Sequence, residues 1–362
     1  MKTDLKRVAL LGAALAASAC ATTATSSSRS ATPLAPNDVL YVANQGAATV
    51  TVVDVGTLSP VRTLDLQEMG FGPNAKPHHI VVEPDGSYWY LSLIGENLVL
   101  KLTPEGEIVA QGEFQAPGML ALAPTDGTLF VGRSMSAVNP PPRVGVINRS
   151  TMAVEELGVF FPRPHALAFT PDGDFAYTAS LAENQFASIE IAEEELGLVQ
   201  VDGPPHTFVQ FAVSPDGSTL VAATQLTGKL LFYDLTDPAS PRPVGEVDVG
   251  GQAWHPVITP DGRWIYVGSK GTNTITIVDA RSMTVAKVLT DARIRAPHGS
   301  SVSADGRYVF ISNSDMDPMA SASGMAAMEA GTVTVIDVAT QEIVGFVPVG
   351  VQPTGIGIRS GR

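Results

Sequence analysis

The chain has six histidines, His78, His79, His165, His206, His255 and His298, and all six stand shortly before a Pro-Asp-Gly turn or its variant. His78, His165 and His298 lie six positions before the first residue of that turn, His79 and His255 five, and His206 nine. Neutral imidazoles repeated in register can ligate a metal, because their nitrogen lone pairs suit copper, zinc or iron. The same placement suits a structural task, in which each ring caps a strand by hydrogen-bonding the backbone beside it. A repeat copied from one ancestor would carry its histidine along without independent selection. Both readings stand on spacing alone, and one ion can reach at most three or four of the rings.

Two further groups accompany the histidines. Lys76, Arg163 and Arg295 each lie two or three residues before the histidine of a Pro-His pair, and Arg133 and Lys270 follow expected second strands. In a chain of formal net charge −14, cations gathered at one mouth would attract an anionic ligand by focusing the field there. Ordinary solvated loop charge is the alternative. Trp254, beside His255, is expected either to wall such a site or to fill between neighbouring elements. The segment "SNSDMDPMASASGMAAMEAGT" carries Met316, Met319, Met325 and Met328, four of the ten methionines. Thioethers are soft ligands that favour Cu(I), which makes Met316 and Met319 candidate ligands. Flexible apolar methionines would equally make this segment a lid over the site.

Composition excludes several classes. Apolar residues make up 44% and charged residues 16%, as expected of a well-buried globular protein. The acidic balance argues against nucleic acid, whose phosphates call for clustered Lys and Arg. The single cysteine, Cys20, rules out a disulfide, haem attachment through Cys-x-x-Cys-His, and a cysteine-rich zinc or iron-sulfur site. No Gly-x-Ser-x-Gly elbow, phosphate loop or His-Glu-x-x-His helix occurs.

What must position the histidines is a repeat. The turn recurs at Pro84, Pro124, Pro171, Pro215, Pro260 and Ala304, with spacings of 40, 47, 44, 45 and 44 residues. Alternating apolar runs flank each turn, and two more follow, as in "TITIVDA" and "TVAKVLT". Four strands per unit of this length make the blade of a β-propeller. The chain ends in "GVQPTGIGIRSGR", one first strand alone, and opens its folded part with "DVLYVANQGAATVTVVDVGTLSPVRTLDL", three strands lacking a first. Together they complete one blade. The expected fold is therefore all-β, a seven-bladed β-propeller with four antiparallel strands per blade. It is closed where the N-terminal strands of 38–66 pair with the C-terminal strand 354–359. In a propeller, the start of each first strand and the loops between second and third strands share one rim, at the mouth of the axial channel. The histidines, the basic residues and the methionine segment are all expected there.

"LYVANQGAATVTVVDVGTLSPVRTLDL" and "IYVGSKGTNTITIVDARSMTVAKVL" resemble the YVTN β-propeller repeats of bacterial surface and periplasmic proteins. The resemblance covers residues 38 to the C-terminus and implies the fold. It leaves function open among lactonases, redox enzymes and binding platforms. The N-terminus reads as a targeting signal: Lys2, Lys6 and Arg7, then the apolar "VALLGAALAA", then "ASAC" at 17–20. "ASAC" resembles a bacterial lipobox, with Ala17 where Leu is usual. That implies lipidation of Cys20, and Ala21 after it implies outer-membrane sorting. An ordinary small-residue cleavage site is the other reading. Residues 21–37 form a Ser/Thr/Ala-rich tether that cannot build a core.

The function expected from sequence is thus a lipid-anchored envelope propeller, monomeric and non-catalytic, that binds a small molecule, metal or protein at its histidine-rich mouth. A copper-dependent oxidoreductase is second and a lactonase-like hydrolase third.

Overall fold

A computed structural model describes residues 3–4, 38–314 and 330–360. Within them lie seven antiparallel sheets, one per blade. In chain order, blade 2 holds Pro77–Val82, Trp89–Leu93, Leu98–Leu102 and Ile108–Glu113, from the axis outward. Blades 3, 4, 5, 6 and 7 repeat this plan, with inner strands Pro117–Leu122, Pro164–Phe169, Phe208–Val213, Val257–Ile258 and Pro297–Val302. The described residues Thr3–Asp4 pair with the outer strand Glu195–Gln200 of blade 4.

Blade 1 is composite, as the sequence requires. Its innermost strand is the C-terminal Pro353–Arg359, which pairs antiparallel with Val39–Asn44 from Val39↔Arg359 to Asn44↔Pro353. Thr49–Asp54 and Ser59–Asp65 complete it. Closure gives blade 1 its full four strands, so that its two faces are covered by blades 2 and 7.

The cores lie between blades rather than within them. A strand alternates its side chains across its two faces, so a sheet packed on both sides must be apolar at nearly every position. Val39–Asn44 meets this demand, buried at all six positions. Its Tyr41 and Ala43 pack toward blade 2 against Leu91 and Leu100, while Leu40 and Val42 pack toward blade 7 against Phe310 and Val335. Each of the other neighbouring pairs of blades has a cluster of the same kind.

Two local features set the rims. On one rim, the turn glycines Gly86, Gly127, Gly173, Gly217, Gly262 and Gly306 have φ of 69° to 81°, the left-handed region that a Cβ penalises. On the other, Lys76, Ala116, Arg163, Thr207, Gln252, Ala296 and Gln352 have φ of 45° to 60°, and none is glycine. Each stands directly before an inner strand or, in blade 6, before the bridging residue Ala253. Each carbonyl accepts a backbone N–H from the residue just past the second strand, at 2.8 to 3.3 Å; examples are Ser134 N–H to Ala116 and Leu181 N–H to Arg163. One hydrogen bond per blade thus holds a backbone conformation that costs about 1–2 kcal/mol.

Blade 6 departs from the expected pattern. Its inner strand shrinks to Val257–Ile258, joined to the second strand upstream only by an isolated bridge, Ala253↔Ser269. Pro256 supplies no ladder N–H, and this frees Trp254 and His255 from regular pairing.

Deletion of Pro353–Arg362 removes the inner strand of blade 1 and exposes Leu40 and Val42. The truncated protein is expected to lose cooperative thermal unfolding. A soluble truncation that melts at the unchanged temperature contradicts closure as the source of stability.

Candidate functional site

Ring geometry brings four of the six imidazoles together at the axis. The His255 and His298 centroids, on adjacent blades, lie 4.8 Å apart, edge to face. His78 of blade 2 meets His298 at 5.5 Å, and His79 of the same blade reaches across to His255 at 5.9 Å. Trp254 packs against His298 at 5.4 Å, and the Lys270 ammonium sits 3.7 Å above the Trp254 ring centroid, a cation–π contact. Close approach of the inner strands makes this possible. A Cβ on Gly355 would come within 2.4 Å of the His78 carbonyl oxygen, so only glycine admits that approach.

Hydrogen bonding divides the histidines by task. His165 Nδ1–H donates to the Arg133 carbonyl of blade 3 at 2.6 Å. The Leu120 N–H of blade 3 donates to His79 Nδ1 at 3.2 Å. Both match the strand-capping role. His206 stands apart: Nε2–H faces the Asp202 carbonyl at 3.4 Å and Nδ1 faces the Thr227 hydroxyl at 2.8 Å, so both nitrogens serve rim loops. His78 Nδ1 faces Gln45 Oε1 at 3.0 Å. His255 Nε2 and His298 Nδ1 are buried with no hydrogen-bond partner. Orphaned buried polar atoms are uncommon in folded proteins and call for an explanation.

Electrostatics keeps the cluster neutral. Burial is the main cause in every case, because the imidazolium form loses its hydration. It pushes His79 down to about 3, with His165 adding repulsion, and His165 down to about 4 against the Arg133 carbonyl bond, which favours protonation. His78, His255 and His298 lie well below the ordinary 6.5, held there further by one another and by Lys270. Burial also lowers the Lys270 amine to about 7. Among the described residues, every charge acting on these rings is basic.

The other expected site residues are distributed as follows. Trp254 and Lys270 join the cluster. Arg133 is buried and committed elsewhere: it pairs with Glu156 of its own outer strand at 2.5 Å, donates to the Gln115 carbonyl at 2.8 Å and stacks on Phe114 at 3.9 Å. Arg163 donates to the Met135 carbonyl at 2.6 Å, bracing a rim loop. Lys76 and Arg295 are exposed on the rim. Cys20, Met316 and Met319 lie outside the described residues. No three His, Cys, Asp or Glu side chains among the described residues stand ready to hold one metal ion. Sequence reading passed over Gln45, which follows the "YVAN" strand and orients His78. It also passed over Ser300, whose hydroxyl donates to the His255 carbonyl at 2.7 Å. Neither carried a motif signal.

The fold and the axial cluster define a seven-bladed propeller with a basic, imidazole-lined mouth. By sequence the chain matches no known family and no curated protein. Solved structures match it across most of its length. The periplasmic gluconolactonase of Pseudomonas aeruginosa, at 17% identity, superposes with a TM-score of 0.71 over 90% of this chain and 99% of that one. A protein of unknown function from Desulfotomaculum acetoxidans, at 16% identity, gives 0.69 over 90% and 99%. The dihydro-haem d1 dehydrogenase NirN, at 17% identity, gives 0.62 over 92% and 77%. These likenesses show the fold.

Acid should destabilise the protein through the cluster. The unfolded chain protonates its histidines near 6.5, while the folded rings resist until far lower pH. Their contribution is therefore complete above 6.5 and is lost as pH falls toward 4 and below. His165 alone accounts for on the order of 3 kcal/mol over that interval. The melting temperature is expected to fall steadily from pH 7 to pH 4, with a shallower slope in His165→Gln. A flat profile, or an unchanged slope in the variant, contradicts burial of neutral rings.

Proposed function

We propose that this chain is an exported, lipid-anchored propeller of the YVTN type that binds a small ligand or metal at its axial mouth without catalysing a reaction. The observation that carries this reading is the pair of buried ring nitrogens, His255 Nε2 and His298 Nδ1, left without partners beside Trp254 and Lys270. A ligand supplies what the fold withholds. The name of one structural neighbour, a periplasmic gluconolactonase, supports an envelope setting.

The route of the chain fits an anchor. Asp38 and Arg359 enter and leave on the rim that carries the glycine turns: the Asp38 carbonyl accepts from Val55 N–H, and Arg359 packs against Gly86. Lipidation at Cys20, through the tether 21–37, would therefore attach at the rim opposite the histidine mouth and leave that mouth unobstructed.

A lactonase-like hydrolase is the second reading, favoured by the fold of that same neighbour and by Lys270, whose near-neutral amine could serve as a base. Against it, no carboxylate among the described residues acts on the cluster. Thermal-shift measurements with Cu(I), Zn(II), gluconate and inorganic phosphate decide the matter, run on wild type and Trp254→Ala alongside a pH-stat assay of gluconolactone. At least one ligand should raise the melting temperature, the rise should be lost in the variant, and the lactone should hydrolyse at its spontaneous rate. No shift with any ligand, or accelerated hydrolysis, overturns the reading.

A further inference from the structure

The mouth's ligand can be narrowed, resting on the binding role just proposed. An ion bound ~2 Å from an imidazole nitrogen lies ~3.2 Å from that ring's centroid, so two rings sharing it have centroids roughly 4.5 to 6.4 Å apart for bond angles from right to straight. His255 and His298 at 4.8 Å, and His78 and His298 at 5.5 Å, both fall inside that span. Hydrogen bonding leaves these same rings a nitrogen to give. His255 Nε2 and His298 Nδ1 have no partner. His78 directs Nδ1 at Gln45 Oε1, which as an acceptor fixes the N–H on Nδ1 and the lone pair on Nε2. An outer-shell acceptor on the far ring nitrogen is the usual arrangement behind a ligating histidine.

His79 and His206 are disqualified by their bonds: His79 spends its Nδ1 lone pair on the Leu120 N–H, and His206 has both nitrogens engaged. His165 is excluded by position, because although its Nδ1–H on the Arg133 carbonyl leaves Nε2 free, it makes no ring contact with His255 or His298 among the described residues.

Charge then selects the ion. Dedicated cages for hard cations are built of oxygen, and zinc held by histidines alone takes three of them together with a water. Among the described residues the charges acting on these rings are basic, and the two unpartnered donors are neutral nitrogens. A single positive charge with low coordination number suits that donor set, as does the aromatic face of Trp254 against His298.

We propose that His255 Nε2 and His298 Nδ1 form a bent two-nitrogen site for one Cu(I) ion, which His78 Nε2 can complete to three. As they stand the rings meet edge to face, and loading requires rotation about Cβ–Cγ. Two ligands suffice for Cu(I), so the lack of a ready three-residue cluster does not oppose the site. Gln45 is a positioning residue that holds the His78 tautomer.

The test is anaerobic titration of the purified protein with Cu(I) against a chromogenic chelator, followed by X-ray absorption on the loaded protein. One equivalent should be withdrawn from the chelator, with two or three nitrogen neighbours at ~2 Å. Affinity should fall at least about 100-fold in His255→Gln and His298→Gln and about 10-fold in Gln45→Ala, and hold in His206→Ala. Matched apo melting temperatures exclude misfolding, and the absorption spectrum of wild type needs no variant. Failure to withdraw copper, wild-type affinity in either histidine variant, or a sulfur shell at ~2.3 Å each overturns the site. Should copper fail while another ligand still raises the melting temperature in a Trp254-dependent way, the binding role stands and only the copper assignment falls.

Discussion

One pairing governs the molecule: Val39–Asn44 against Pro353–Arg359. It joins the first and last strands of the propeller in a single blade. It also completes the ring of inner strands that brings residues more than two hundred positions apart into contact. His78 of blade 2 and His298 of blade 7 touch only because the sheet between them, blade 1, is held in place. The Thr354 hydroxyl on the closing strand donates to the His78 carbonyl at 3.0 Å, tying closure directly to the site. Because each hydrophobic cluster spans two blades, a break at one seam exposes both neighbours. Stability and site geometry therefore share one origin.

Several costly features converge on the mouth. Seven non-glycine residues hold left-handed backbone there, each secured by one carbonyl bond. Blade 6 forgoes most of its inner strand at the place where Trp254 and His255 turn inward. Lys270 is held over an indole ring rather than released to water. Two ring nitrogens go without partners. Strain, broken pairing and unsatisfied polar atoms at one location are what a binding site requires and what a purely structural rim would lose.

Much of this was legible in the residues. The Asp-Gly turns marked the blades, the incomplete units at each end marked the closure, and the position before each turn placed the histidines on one rim. Backbone periodicity carries that information because four strands per repeat and alternating burial leave a regular trace. Side-chain partners leave none. Arg133, buried on Glu156 and Phe114, ends its second strand, whereas Lys270, which joins the cluster, stands just past its own, a one-residue difference that the sequence pattern does not resolve. His206 and His255 look alike as single histidines before a turn. Only the loops that supply Asp202 and Thr227 separate them. The left-handed residues were hidden because glycine, the usual signal for positive φ, is absent from all seven positions.

The central claim is that closure gathers neutral imidazoles at the axis. Nitrogen-15 spectra of the histidine rings, followed from pH 8 to pH 5, test it most directly. The account predicts that His78, His79, His165, His255 and His298 remain neutral at pH 5, with His165 and His78 protonated on Nδ1. Five rings gaining protons together near 6.5 would place them in solvent and contradict the account.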